Sequence, residues 1–163
     1  MNHLLITFLI GIGATAITDL WGIVRKTLFG IAPPNYGLVG RWIAHMTQGR
    51  FQHESITAAT PIAGEHIIGW AFHYMTGIVF AALLTGIWGI EWIRNPTLGP
   101  ALGVGIATVA APFLLMQPGM GAGIAASRTP RPNAARAQSL IMHAVFGVGL
   151  YATGRLLQTV YPL

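Results

Sequence analysis

"IAGEHIIGWAFHYMTGIVFAALLTGIWGI" (62–90) is the run on which the architecture turns. It exceeds the roughly 20 predominantly apolar residues that a helix needs to cross the hydrocarbon core. It begins after Pro61, and its Glu65, His66 and His73 are confined to its first half. Charge is tolerated near a membrane surface and costly at its centre. Glu65 and His66 therefore read as lying near the surface, with His73 deeper.

Three more segments meet the same length requirement: 4–24, ending at Arg25 and Lys26; 97–117, opening within "NPTLGP" (95–100); and 136–158. Asn133 is the expected N-cap of the last. Only 8% of the 163 residues are charged, 53% are apolar, and the mean hydropathy is +0.61. A soluble domain carries about 25% charged residues. So few charges cannot cover a water-facing surface, and the predicted fold class is an all-α integral membrane protein, one domain of four transmembrane helices.

The net charge of +5 does not indicate nucleic acid, because no basic run is interleaved with aromatic residues. Its distribution indicates orientation instead. Residues 25–61 hold Arg25, Lys26, Arg41 and Arg50, and residues 118–137 hold Arg128, Arg131 and Arg136. The short 91–96 connection holds Arg94, and the N-terminus holds none. Positive charge stays on the cytoplasmic side, which places both long connections in the cytoplasm and both termini outside, in the periplasm. "MNHLLITFLIGIGATA" (1–16) lacks the basic n-region of a cleaved signal, so a retained first span is expected. Trp88, Trp92 and Tyr161 are assigned to an outer aromatic belt, and Trp21, Tyr36 and Trp42 to an inner one.

The first connection contains a short interfacial helix over 36–48. Leu38, Val39, Trp42, Ile43 and Met46 follow helical spacing, with Arg41, His45 and Gln48 on the other side. Pro33-Pro34-Asn35 supplies a start and Gly49 a stop. In span three, Gly99, Gly103, Ala107 and Ala111 form a small-residue ridge suited to close helix packing. No internal repeat is evident. Cysteine is absent, which excludes disulfides, thiolate chemistry and Cys-based metal sites.

Depth along the spans groups the polar residues. Asp19 lies six residues inside Arg25, about 9 Å along a helix axis. His143 lies seven residues inside Arg136, about 10 Å, and His73 lies eight beyond Glu65, about 12 Å. Gln117 closes span three. Asp19, His73, Gln117 and His143 thus form a predicted polar layer, one group per span, with Glu65 and His66 nearer the surface. Ionisable residues inside spans usually face the bundle interior and mark ligand or proton paths. The competing structural reading is that they bond one another and fix helix register.

Four functions are compared on this layer. The first choice is a small transporter-like or ligand- and proton-binding bundle with Asp19 as the proton-responsive group; four helices without a repeat would then need a homodimer. A non-catalytic membrane subunit or assembly factor is the alternative. Metal or haem binding through His73 and His143 is weaker: Met116, Met120 and Met142 are soft donors, but no metal-site spacing is present. No cofactor is therefore expected. A Ser139–His143–Asp19 hydrolase is weaker still, because no nucleophile elbow exists, so an enzyme is not the favoured reading. "GIGATA" (11–16) and "GAGIAA" (121–126) match a loose dinucleotide pattern without the strand–helix context it requires. The second lies beside Arg128, and Arg128 with Arg131 is the candidate site for an anion or lipid headgroup. The partner expected throughout is the lipid bilayer.

"DLWG" (19–22), "NYGLVGRWIAHM" (35–46), "GRFQHESI" (49–56), "GEHIIGWAFHYMTG" (64–77), "PTLGPALGVGIATVAAPF" (96–113), "QPGMGAGIAASRTPRP" (117–132) and "LIMHAVFGVGLY" (140–151) together carry a resemblance. The chain resembles an uncharacterised family of small bacterial inner-membrane proteins, a domain of unknown function. The resemblance covers nearly the whole chain. It implies a bacterial inner-membrane location and four spans, and adds no activity, ligand or site.

Overall fold

A computed structural model describes residues 2–161. Among them the chain is helical without strands. The elements are α1 (His3–Phe29), α2 (Tyr36–Met46), α3 (Glu65–Arg94), α4 (Leu98–Ala107), a π-helical turn (Pro112–Met116), α5 (Gln117–Gly119), a 3-10 turn (Ile124–Ala126) and α6 (Pro132–Val160). Four helices are long and apolar enough to cross a membrane: His3–Phe29, Glu65–Arg94, Leu98–Gly119 and Pro132–Val160. Only 22–33% of their apolar windows is buried within the protein. Leu20, Ile23, Ile67, Val79, Leu115 and Leu156 all face outward. Water would oppose that arrangement and lipid does not.

The helix ends follow local chemistry. Asn2 and Asn35 cap α1 and α2 through their side-chain oxygens, which accept from Leu4 N and Gly37 N. Gly30, at φ 66°, closes α1. The fourth long helix starts at Pro132 rather than after Asn133. Proline suits a first helical turn because its missing N–H has no intrahelical partner there. Asn133 lies inside the helix and accepts from Arg136 instead of capping.

The third apolar segment is not one continuous α-helix. Pro112 has no N–H to donate to the carbonyl of Thr108, four residues back. The α-helical ladder stops at Ala107, and Thr108 acts as its C-cap. Pro118 likewise has no N–H for Leu114. Between the two prolines the chain widens, and Gln117 N donates to Pro112 O, five residues back. α3 is interrupted once, at Gly89, whose φ of 68° and ψ of −166° are open to glycine and costly for other residues.

The fold comprises two compact units. The first takes in 1–33, 74–108 and 141–163. Its core is Ile6, Ile10, Ala14, Ala81, Leu84 and Leu150, with Phe146 and Trp92. Small residues bring its helices together. A Cβ on Gly105 would stand 2.5 Å from Gly147 Cα, and one on Gly11 2.5 Å from Ile78 Cα. Trp92 is buried here, with its indole N–H donating to Thr97 O at 3.1 Å, so it belongs to the core rather than to an aromatic belt.

The second unit takes in 34–73 and 109–140. Here α2 lies against the first turns of α3, and Gly40 and Gly69 permit it: a Cβ on either would overlap the carbonyl of Glu65 or Tyr36. Trp42 is also buried, donating to Phe51 O at 2.9 Å, because its ring covers Gly119. It too is removed from the belt that its sequence position suggested.

Candidate functional site

In the second unit the polar stripe of α2 points inward. Arg41 and His45, four residues apart on one face, are both buried. Arg41 meets Glu65 as a two-point pair: Nε to Oε2 and Nη2 to Oε1, each 2.8 Å. Its Nη1 also donates to Ala59 O at 3.0 Å and Ile56 O at 3.3 Å. The bond to Glu65 raises the guanidinium pKa against the opposing pull of burial, so Arg41 stays charged. Glu65 in turn accepts from Ile62 N at 3.0 Å. The glutamate at the head of the second span is therefore a tie between helix start, α2 and loop.

His45 makes a second tie. Its Nε2 lies 3.0 Å from Thr60 O, a carbonyl that can only accept, so Nε2 carries the proton. In the neutral ring Nδ1 then accepts, and His53 Nε2 donates to it across 2.9 Å. Two further bonds hold the loop from the other side, His53 N to Gly119 O at 2.9 Å and Ile56 N to Met120 O at 3.0 Å. Gly121 is needed at this approach. Its φ is 93°, and a Cβ would overlap the Glu54 carbonyl.

The loop so fixed forms one wall of a cleft of about 420 Å³. Residues within 54–57, 116–122 and 128–130 line it. Met116 and Met120 supply apolar surface, Ser55 and Thr57 hydroxyls, and Glu54 and Arg128 opposite charges. Gln117 lines it too, delivered by the π-helical turn. Its Nε2 makes one long bond, 3.4 Å to Ser139 Oγ, and its Oε1 is sealed from solvent without a hydrogen-bond partner. An unpaired buried polar atom costs about 1–3 kcal/mol. The wall from Gly121 to Thr129 uses its own N–H groups: Ala126 N donates to Gly123 O, Arg128 N to Ala122 O and Thr129 N to Ala126 O. Of "GAGIAA" and its two neighbouring arginines, Gly121, Ala122 and Arg128 line the cleft. Arg131 is exposed and is not among the residues that line it.

The other sequence-predicted residues have individual surroundings. In the first unit, Tyr74 OH donates to Asp19 Oδ2 at 3.0 Å. His143 Nδ1 faces both Thr108 Oγ1 at 3.0 Å and Gly105 O at 3.2 Å, while the Thr108 hydroxyl donates to Gly105 O at 2.7 Å. The proton therefore sits on Nδ1, and the ring completes the broken end of α4, where carbonyls lose their helical donors. In the second unit, His73 stacks on Tyr36 with centroids 4.1 Å apart and meets the edge of Trp70. His66 is exposed beside Gly37. Asp19 and His143 thus belong to one compact unit, His73, Gln117, Glu65 and His66 to the other. Among the described residues no group of three or more His, Asp or Glu side chains is placed to hold a metal ion. Sequence reasoning missed the Arg41–Glu65 pair, the His45–His53 pair and Glu54. The available signal was the i, i+4 spacing of Arg41 and His45, two polar residues on one face of a short helix.

A protein-family model matches residues 8–157, and its description is a protein of unknown function, DUF2938. No curated protein and no solved structure matches the chain.

Proposed function

Because the chain belongs to the DUF2938 family, whose description assigns no activity, we propose its function from the site alone: a transporter-like membrane protein that binds a small polar solute in the cleft of the second unit. One observation carries this reading: Gln117 Oε1, buried and without a hydrogen-bond partner, on a residue that lines a cleft of about 420 Å³. The terminal torsion of glutamine is broad. A small turn aims the amide into the cleft, where a solute N–H or O–H satisfies it. The interrupted third span adds support, since membrane transporters build solute sites from discontinuous helices. Asp19, held by the Tyr74 hydroxyl within a membrane-capable helix, is the group assigned to proton response. The expected setting is a bacterial inner membrane with both termini outside.

The test is thermal unfolding of the detergent-purified protein against a panel of water-soluble metabolites: neutral, singly charged and zwitterionic. At least one compound is expected to raise the midpoint. Gln117→Leu, close in shape but without the amide, is expected to weaken its binding tenfold or more. A panel with no stabilising compound, or binding indifferent to Gln117→Leu, sinks the reading and leaves the protein as a non-catalytic membrane subunit.

A further inference from the structure

Resting on that reading of the cleft, we infer that its ligand is a zwitterion, a small molecule or headgroup carrying one ammonium and one carboxylate or phosphate. Glu54 and Arg128 both line the cleft. Both side chains are exposed, and among the described residues neither belongs to an ion pair or a side-chain hydrogen bond. This contrasts with the adjoining Arg41–Glu65 pair, closed on itself by two 2.8 Å bonds. The same unit therefore holds one carboxylate–guanidinium couple joined and another kept apart on the walls of a cleft.

A ligand with a single charge would satisfy one wall and leave the other charge facing a like or absent partner. A neutral polar ligand would use neither. A molecule with both charges satisfies both, with its ammonium toward Glu54 and its anion toward Arg128, and it adds no net charge to the cleft. The remaining lining fits the same class. Once turned into the cleft, the Gln117 amide oxygen accepts from an ammonium or amide N–H, and the Ser55 and Thr57 hydroxyls, 2.8 Å apart, offer donors and acceptors. Met116 and Met120 accept a short apolar side chain without demanding one shape. Arg128 also suits a planar anion, because its guanidinium presents paired donors.

Two sources supply this chemistry. A free α-amino acid carries ammonium and carboxylate. Phosphatidylethanolamine carries ammonium and phosphate, and the cleft lies where the third membrane-capable helix ends, at Gly119. Both arms are measured on the full-length protein. Isothermal titration in detergent uses the twenty L-amino acids, with ethylamine, acetate and acetamide as single-charge and neutral controls. Native mass spectrometry from nanodiscs of equal phosphatidylethanolamine and phosphatidylglycerol reads retained lipid. The expected result is binding of a zwitterion at least tenfold tighter than of any control, or retention of phosphatidylethanolamine over phosphatidylglycerol. Glu54→Gln and Arg128→Gln should each weaken it tenfold or more. Titration identifies a free solute and lipid retention a headgroup. Lys26→Gln, a charge change outside the cleft, should leave it unaltered and so exclude a bulk charge effect. Three results overturn the inference: controls that bind as well as zwitterions, no zwitterion bound in either arm, or binding unmoved by both cleft variants. If a neutral or singly charged compound binds and Gln117→Leu abolishes it, this inference fails while the solute-binding reading stands.

Discussion

Arg41 and Glu65 illustrate how a charge near the head of an apolar run is accommodated. Each guanidinium N–H that reaches inward has an oxygen to meet: two from Glu65, and the carbonyls of Ile56 and Ala59. Removing one partner leaves a mostly buried charge without its counter-charge, whereas removing both leaves only neutral groups, the two loop carbonyls and the Ile62 N–H, without their partners. Arg41→Met and Glu65→Leu are therefore each expected to lower the thermal midpoint. The double variant should lose less than the sum of the two single losses, and simple additivity in a double-mutant cycle would show that the pair does not act as a unit. Arg41, Glu65 and the inward turn of His45 were only partly legible from the chain. Spacing places Arg41 and His45 on one face of α2, but spacing alone does not say whether that face meets water or protein. The glycines at 40 and 69 carried the missing information, since they remove the side chains that would otherwise keep α2 away from α3.

At the scale of the element, the third apolar segment is the informative one. Its hydropathy announces a span, and its prolines at 112 and 118 interrupt it. The interruption has two consequences. His143 and the Thr108 hydroxyl complete the end of α4 at Gly105 O, so a histidine counted among the ligand or proton-site candidates has a structural task. The widened turn beyond brings Gln117 to the cleft. Pro112→Ala restores an N–H in the fourth position after Thr108 and removes the ring that an unbroken α-helix could not accommodate beside that carbonyl. The expected outcome is an unchanged or higher thermal midpoint together with at least tenfold weaker binding of whichever panel compound stabilises the parent protein. Undiminished binding in that variant would show that the π-helical turn does not position Gln117.

For the whole molecule, the chemistry of the exposed surface settles the class. Leu20, Ile23, Ile67, Val79, Leu115 and Leu156 remain uncovered on helices long enough to cross a bilayer. The distribution of the arginines gives an expected orientation, with both long connections in the cytoplasm. The chain has no cysteine, so single-cysteine variants report one position each. A membrane-impermeant maleimide applied to intact cells is expected to modify Asn95→Cys and to spare Arg50→Cys and Pro130→Cys. Inverted vesicles should reverse the pattern. Modification of Pro130→Cys from outside would refute the orientation and put the cleft on the opposite face of the membrane.

The number of membrane-capable helices was readable along the chain, because hydropathy is a local property; the third was expected as one continuous span, and its break at Pro112 was not foreseen. The short helix after the first span was readable for the same reason. The partners of the polar residues were not. Distance inside a span says how deep Asp19 or His143 stands, but hydrogen bonds depend on rotation about the helix axis and on the neighbour across it. Tyr74 and Thr108 are those neighbours, and neither stands out by spacing. The cleft belongs wholly to this second kind of information: Glu54, Gln117 and Arg128 are distant in sequence and share one hollow because Gly121 lets two backbones meet.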